Sequence, residues 1–210
     1  MMTGRSSSVA ARRAVAVETF QSAATTIGPI QHGMSLFAIT RGQFSMLDAL
    51  MHVLTEVGKA RVSLWTWTVA EYELAQFSRF QECGMITSGL LVIDEGARKK
   101  NHALIAGWQA SYGPDSVRYV LNHAKIATVE TDEFKLLLRG SMNLNFNPRF
   151  EQMDLTEGGP DFDLVRQIES DLPLLPDNVS GKRVYAASKV SGAFGQSTLD
   201  LFQGVKTWAK

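Results

Sequence analysis

The chain has 210 residues, 45% hydrophobic and 9% aromatic, and its 21 basic and 21 acidic side chains cancel. That apolar fraction, with 11 Phe, 4 Trp and only 6 Pro, fills a core and excludes a disordered, collagenous or linker-like chain. The single cysteine, Cys83, excludes an internal disulfide and a cysteine-based zinc site, so one ordinary domain must stand on its hydrophobic core.

In chain order, residues 1–32 read as a mobile N-terminal arm. The stretch is rich in Arg and Ser with no acid before Glu18, a composition shared with organelle transit peptides. It lacks the continuous apolar stretch of a secretory signal, and no run approaches the roughly 18 residues that cross a bilayer. The expectation is a soluble, cytoplasmic protein without a membrane partner.

Residues 33–172 carry the regular patterns. Ser35–Thr40 is a short apolar strand. Phe44, Leu47, Leu50, Met51, Leu54 and Val57 then recur at helical spacing until Gly58. Arg61–Val69, β-branched and aromatic, predicts a strand, and residues 70–83 return to helical composition. Gly89–Asp94 is a continuously apolar strand of the doubly buried kind, 99–111 looks helical, and Val117–His123 begins another strand. Lys125–Glu130 and Phe134–Arg139 form a hairpin through Thr131–Glu133. This alternation predicts an α/β fold, a mixed and mostly parallel sheet flanked by helices on both faces. From 173 to 210 periodicity is weak, and a loop-rich C-terminal extension is expected, with one short helix near 197–208.

Chemistry concentrates between residues 123 and 154. His123 and Lys125, two apart on a strand, point to the same side of a sheet and bring an imidazole and an ammonium together. A neutral imidazole is a nucleophile toward phosphorus, and an ammonium neutralises phosphate oxygens. Across the hairpin, Gly140-Ser141 offers close backbone approach and a hydroxyl, and Asn143 an amide. Glu151 is placed to hold His123 by its other ring nitrogen. Arg139 and Arg149 flank these residues. Asn145 and Asn147 read as caps, and Trp65, Trp67 and Phe80 as core rather than base-stacking surfaces. Arg98-Lys99-Lys100 reads equally as an exposed helix start or a nucleic-acid contact. His32, His52 and His102 have no metal-ligand spacing, so neither metal nor cofactor is expected.

The run His123-Ala-Lys125, four residues, Glu130, then Gly140-Ser141-x-Asn143 and a downstream Glu151 resembles the HxKx4D…GSxN signature of the phospholipase D superfamily, which includes small single-motif nucleases. The resemblance spans about 30 residues and makes 33–172 a phospholipase D-like catalytic domain. It implies His123 as nucleophile, Lys125, Ser141 and Asn143 as phosphate ligands, and Glu151 as the acid orienting the histidine. Glu130 stands where the family has Asp, and the Lys-to-Gly interval is three residues longer than usual. Only His123 has a lysine two residues on, so the resemblance implies half a site per chain and a homodimer formed through the active-site face. The function it implies is a metal-independent phosphodiesterase, foremost an endonuclease with a phosphohistidine intermediate. The alternatives are a catalytically weak nucleic-acid-binding regulator and, last, a phospholipase or phosphatidyltransferase.

Zero net charge hides segregation. Residues 96–125 hold Arg98, Lys99, Lys100, Arg118 and Lys125 against Asp115, a net +4. Residues 151–178 hold eight acids against Arg166, a net −7. A locally basic surface leading into His123 suits nucleic acid, DNA ahead of RNA.

Overall fold

The computed structural model describes residues 12–16, 22–67, 79–144 and 148–174. Eight strands form one sheet in the order β1-β2-β8-β7-β6-β3-β4-β5. They are β1 (Arg13–Ala16), β2 (Ser35–Thr40), β3 (Ala60–Thr66), β4 (Ile86–Asp94), β5 (Val117–Val120), β6 (Lys125–Glu130), β7 (Lys135–Gly140) and β8 (Glu151–Glu157). Pairing is parallel at both margins (β1 with β2, β3 with β4, β4 with β5) and antiparallel through β2-β8-β7-β6-β3. Followed across the sheet, six of these eight strands share one direction, and β6 and β8 oppose it.

Helices α1 (Ala23–Ile27), α2 (Met46–Val57) and α3 (His102–Tyr112) cover one face, and α4 (Pro160–Asp171) the other. The period-two alternation of strands decides which residues meet which layer. Leu64, Ala127, Leu136 and Leu138 join the large core with Leu50, Leu54 and Trp108. Trp65, Ile126 and Leu137 turn the other way, toward Phe162 and Val165 of α4. Helix α2 shows how locally this is written. Ser45 and Asp48 close a capping box, apolar residues repeat along one face, and Gly58 at φ 81° ends the helix in a conformation that costs a Cβ-bearing residue strain. The structural origin of the α4 face is less legible: Glu169, 4% exposed, accepts from Ser63, from Trp65 Nε1 at 2.9 Å and from Arg166, and Ser63 lies 2.6 Å from Thr128.

Three expectations change. The arm boundary at residue 33 does not bound the folded unit. Arg13–Ala16 is an edge strand beside β2, Ile27 is fully buried, and Arg13 donates to the carbonyls of Thr26 and Ile27 at 2.5 Å, so apolar burial and hydrogen bonds bind parts of residues 1–32 to the sheet. The strand over 117–123 ends at Val120, and 121–124 is irregular. The helix over 99–111 is a 3₁₀ turn, Glu95–Asn101, leading into α3. Residues 68–78, which hold the end of the Arg61–Val69 strand and most of the helical stretch 70–83, lie outside the described residues, as does the extension from 175 to 210. No described helix is long and apolar enough to cross a membrane.

Candidate active site

Strand direction gathers the site. Because β6 and β8 run against the rest, their first residues, Lys125 and Glu151, lie at the same sheet end as the last residues of β2, β3, β4, β5 and β7. Register completes the arrangement: Lys125 is opposite Gly140, Gly140 opposite Met153, and Glu151 opposite Thr40. Ligands commonly meet α/β sheets outside the carboxyl ends of the strands, which is this end.

His123 stands two residues before β6, off the strand, so alternation along a strand is not what brings it to Lys125. Asn122 fixes the connection instead. It is 6% exposed, its N–H donates to Asp94 Oδ2 at 2.8 Å, and its Nδ2 to the carbonyls of Thr66 at 3.1 Å and Ala124 at 3.2 Å. Ala124 N–H returns a bond to Asn122 Oδ1 at 2.9 Å. Three strand ends are thereby tied to the residue preceding His123, whose own side chain is exposed.

Lys125 is 7% exposed, and its Nζ donates to the His123 carbonyl at 2.6 Å. The same Nζ lies 3.1 Å from Nδ1 and 3.3 Å from Nε2 of that imidazole. The in-plane directions of the two ring nitrogens diverge, so a donor almost equidistant from both sits over the ring and leaves the in-plane positions to other partners. Burial pushes the Lys125 pKa below the ordinary lysine value, with the Glu151 carboxylate pulling weakly the other way.

Glu151 accepts from the Ser141 hydroxyl, which also accepts from Gln152 N–H at 3.0 Å. Glu151 thus engages Ser141, and the His123 ring faces Lys125. Gly140 is required where it stands, since a Cβ there would lie 2.1 Å from the Gln152 carbonyl oxygen. Asn143 brings an amide whose buried Oδ1 has no partner among the described residues. Turned about its terminal bond, the amide offers a donor at the same place.

Other sequence candidates lie elsewhere or do other work. Glu130 ends β6 at the opposite side of the sheet and lies 3.6 Å from Arg166 Nε. Arg139 pairs with Asp161 of α4, and Arg98 lies over the Tyr119 ring at 4.3 Å. His32 stacks on Phe134, and His52 Nε2 lies 2.8 Å from the Gly28 carbonyl. Arg149 is exposed. Asn145 and Asn147 are outside the described residues. Among the described residues no group of three or more His, Cys, Asp or Glu is placed to hold a metal.

The core assignment holds for Phe80, half-buried against the large core, but not for Trp67. Trp67 follows the last residue of β3, is 43% exposed, and its ring lies 6.2 Å from the His123 ring. Phe150, directly before Glu151, is 68% exposed with the Arg41 guanidinium 4.7 Å from its centroid. Asn122, Asp94, Trp67, Phe150 and Arg41 are the residues sequence reasoning missed. The only hint lay in adjacency, Asn122 touching His123 and Phe150 touching Glu151. No family model matches the chain, and no curated protein matches it.

Proposed function

We propose that the protein is a metal-independent phosphodiesterase acting on nucleic acid, DNA ahead of RNA, with His123 as nucleophile. One observation carries this reading: an exposed imidazole has a buried ammonium against its ring, with a hydroxyl, an amide and a carboxylate at the same sheet end.

In the proposed reaction a ring nitrogen of His123 attacks phosphorus, forming an N–P bond as the P–O bond to the leaving oxygen breaks. Lys125, Ser141 and Asn143 hold the non-bridging oxygens, where negative charge must be met. The leaving oxygen takes its proton from the protonated His123 of a second copy. That now neutral ring then accepts a proton from water, which displaces the first His123 and releases a phosphate monoester. Two histidines per phosphate require a two-fold dimer joined at this face.

The second reading, a weakly active or inactive nucleic-acid-binding protein, draws on the Glu151–Ser141 bond, which engages the carboxylate that the resemblance assigns to the histidine. Incubating the full chain with plasmid and with single-stranded DNA in EDTA, beside His123→Ala, decides between them. Cleavage by wild type alone, with a phosphate adduct on His123 in acid-free mass analysis, supports the enzyme. Salt-sensitive binding without cleavage supports the second reading.

A further inference from the structure

The large apolar side chains left exposed are not scattered. Of the six exposed above a third among the described residues, Ile39, Trp67, Leu121 and Phe150 stand at or just beyond the sheet end that carries His123. The two aromatics flank the phosphate-binding groups: Trp67 follows β3, Phe150 precedes β8, and β6 and β7 lie between them with Lys125 and Gly140. Cations are interleaved with them. Arg41 lies over Phe150, Arg149 is exposed beside it, and neither has a carboxylate partner among the described residues.

We infer that Trp67 and Phe150 are stacking platforms for the bases on either side of the bound phosphate, so that the ligand is single-stranded nucleic acid with those bases drawn apart. Three strand spacings of about 4.8 Å separate β3 from β8, roughly 14 Å in all. Stacked neighbours along one strand are only about 3.4 Å apart, so bases reaching both rings must leave each other's faces. A duplex keeps those faces inside its own stack and cannot supply them. Exposed rings accept any base, because every base has a π face, and Arg adds a cation over the stack. The interleaved guanidinium groups also favour a polyanion over an apolar partner. This inference takes the position of the phosphate from the proposed function, but it does not require turnover.

The test is the binding of the full chain to three probes at one salt concentration: oligo(dT), an abasic strand of equal length and a blunt duplex. It is repeated for Trp67→Ala, Phe150→Ala and Trp67→Phe, with sedimentation of each. Oligo(dT) should bind about tenfold or more tighter than the abasic strand. Each alanine variant should lose about tenfold for oligo(dT) alone, and Trp67→Phe should recover most of it. Equal affinity for oligo(dT) and the abasic strand overturns the inference. So does an alanine variant that changes the sedimenting species without weakening oligo(dT) binding, which assigns the rings to an interface between copies. Hydrolysis of a base-free aryl phosphodiester reports the proposed chemistry separately, so failure there leaves the stacking result readable.

Discussion

The Lys125 ammonium is held against the face of the His123 imidazole, with Nζ 3.1 Å from Nδ1 and 3.3 Å from Nε2. Binding a phosphate here requires the ammonium charged, whereas the fold disfavours that charge. A lysine whose folded pKa is depressed holds its proton less tightly folded than unfolded. Between the folded value and the ordinary 10.5 the unfolded chain binds more protons, so stability rises with pH through that window. Lys125→Met should therefore lose nucleic-acid binding while unfolding at an equal or higher urea concentration at pH 7, its advantage narrowing toward pH 11. Wild-type activity should also fall at a pH below the ordinary lysine range. A clear drop in the urea midpoint of Lys125→Met at pH 7 contradicts this account.

Asn122 and Asp94 touch no substrate in the proposed reaction and act by placing His123. Asn122→Ala removes the bonds to the Thr66 and Ala124 carbonyls, and Asp94→Ala the acceptor of the Asn122 N–H. A misplaced nucleophile costs chemistry more than affinity, so kcat should fall by about 10 to 100-fold with KM nearly constant. Steady-state kinetics on a short single strand reads this split. A change in KM alone would assign the pair to binding.

Gly140→Ala forces a Cβ against backbone, 2.1 Å from Gln152 O and 3.1 Å from Met153 Cα, where no side-chain rotation relieves it. Strands β7 and β8 must move apart at Ser141 and Glu151. The expected cost is about 2 to 3 kcal/mol, or roughly 5 to 10 °C in Tm, together with weaker phosphate binding. Calorimetry checks the first and oligonucleotide titration the second.

Glu169 holds the α4 face. Glu169→Ala leaves Ser63, Trp65 Nε1 and the half-buried Arg166 without their shared acceptor, at about 3 kcal/mol. Glu169→Gln keeps an acceptor and should cost less. Because this cluster lies on the opposite face of the sheet from Lys125, activity per folded molecule at 20 °C should be unchanged in both, which denaturant titration alongside rate measurement will show.

Much of this molecule is written locally. Period-two and period-3.6 patterns, the Ser45–Asp48 cap and the Thr131–Glu133 turn specify β2, α2 and the β6–β7 hairpin, because those features rest on neighbours a few residues away. The order His123, Lys125, Gly140, Ser141, Asn143, Glu151 was likewise legible, since two antiparallel strands in register must bring their ends together. Val117–His123 misread as one strand because its apolar pattern says nothing of Asn122, whose partners Asp94 and Thr66 are 28 and 56 residues away. Trp67 misread as core because the apolar pattern of β3 continues past the last paired residue, Thr66.

By itself, then, the sequence determined which polar side chains the β6–β7 hairpin and the start of β8 carry, and most of the segments that fold as strands and helices. The tertiary structure decided three further things: that β1 joins the sheet through residues 13–16, that Glu151 meets Ser141, and that Lys125 lies over the His123 ring. Each depends on strand order and on contacts between distant segments, and a pattern confined to one segment cannot encode the burial and charge that those contacts create.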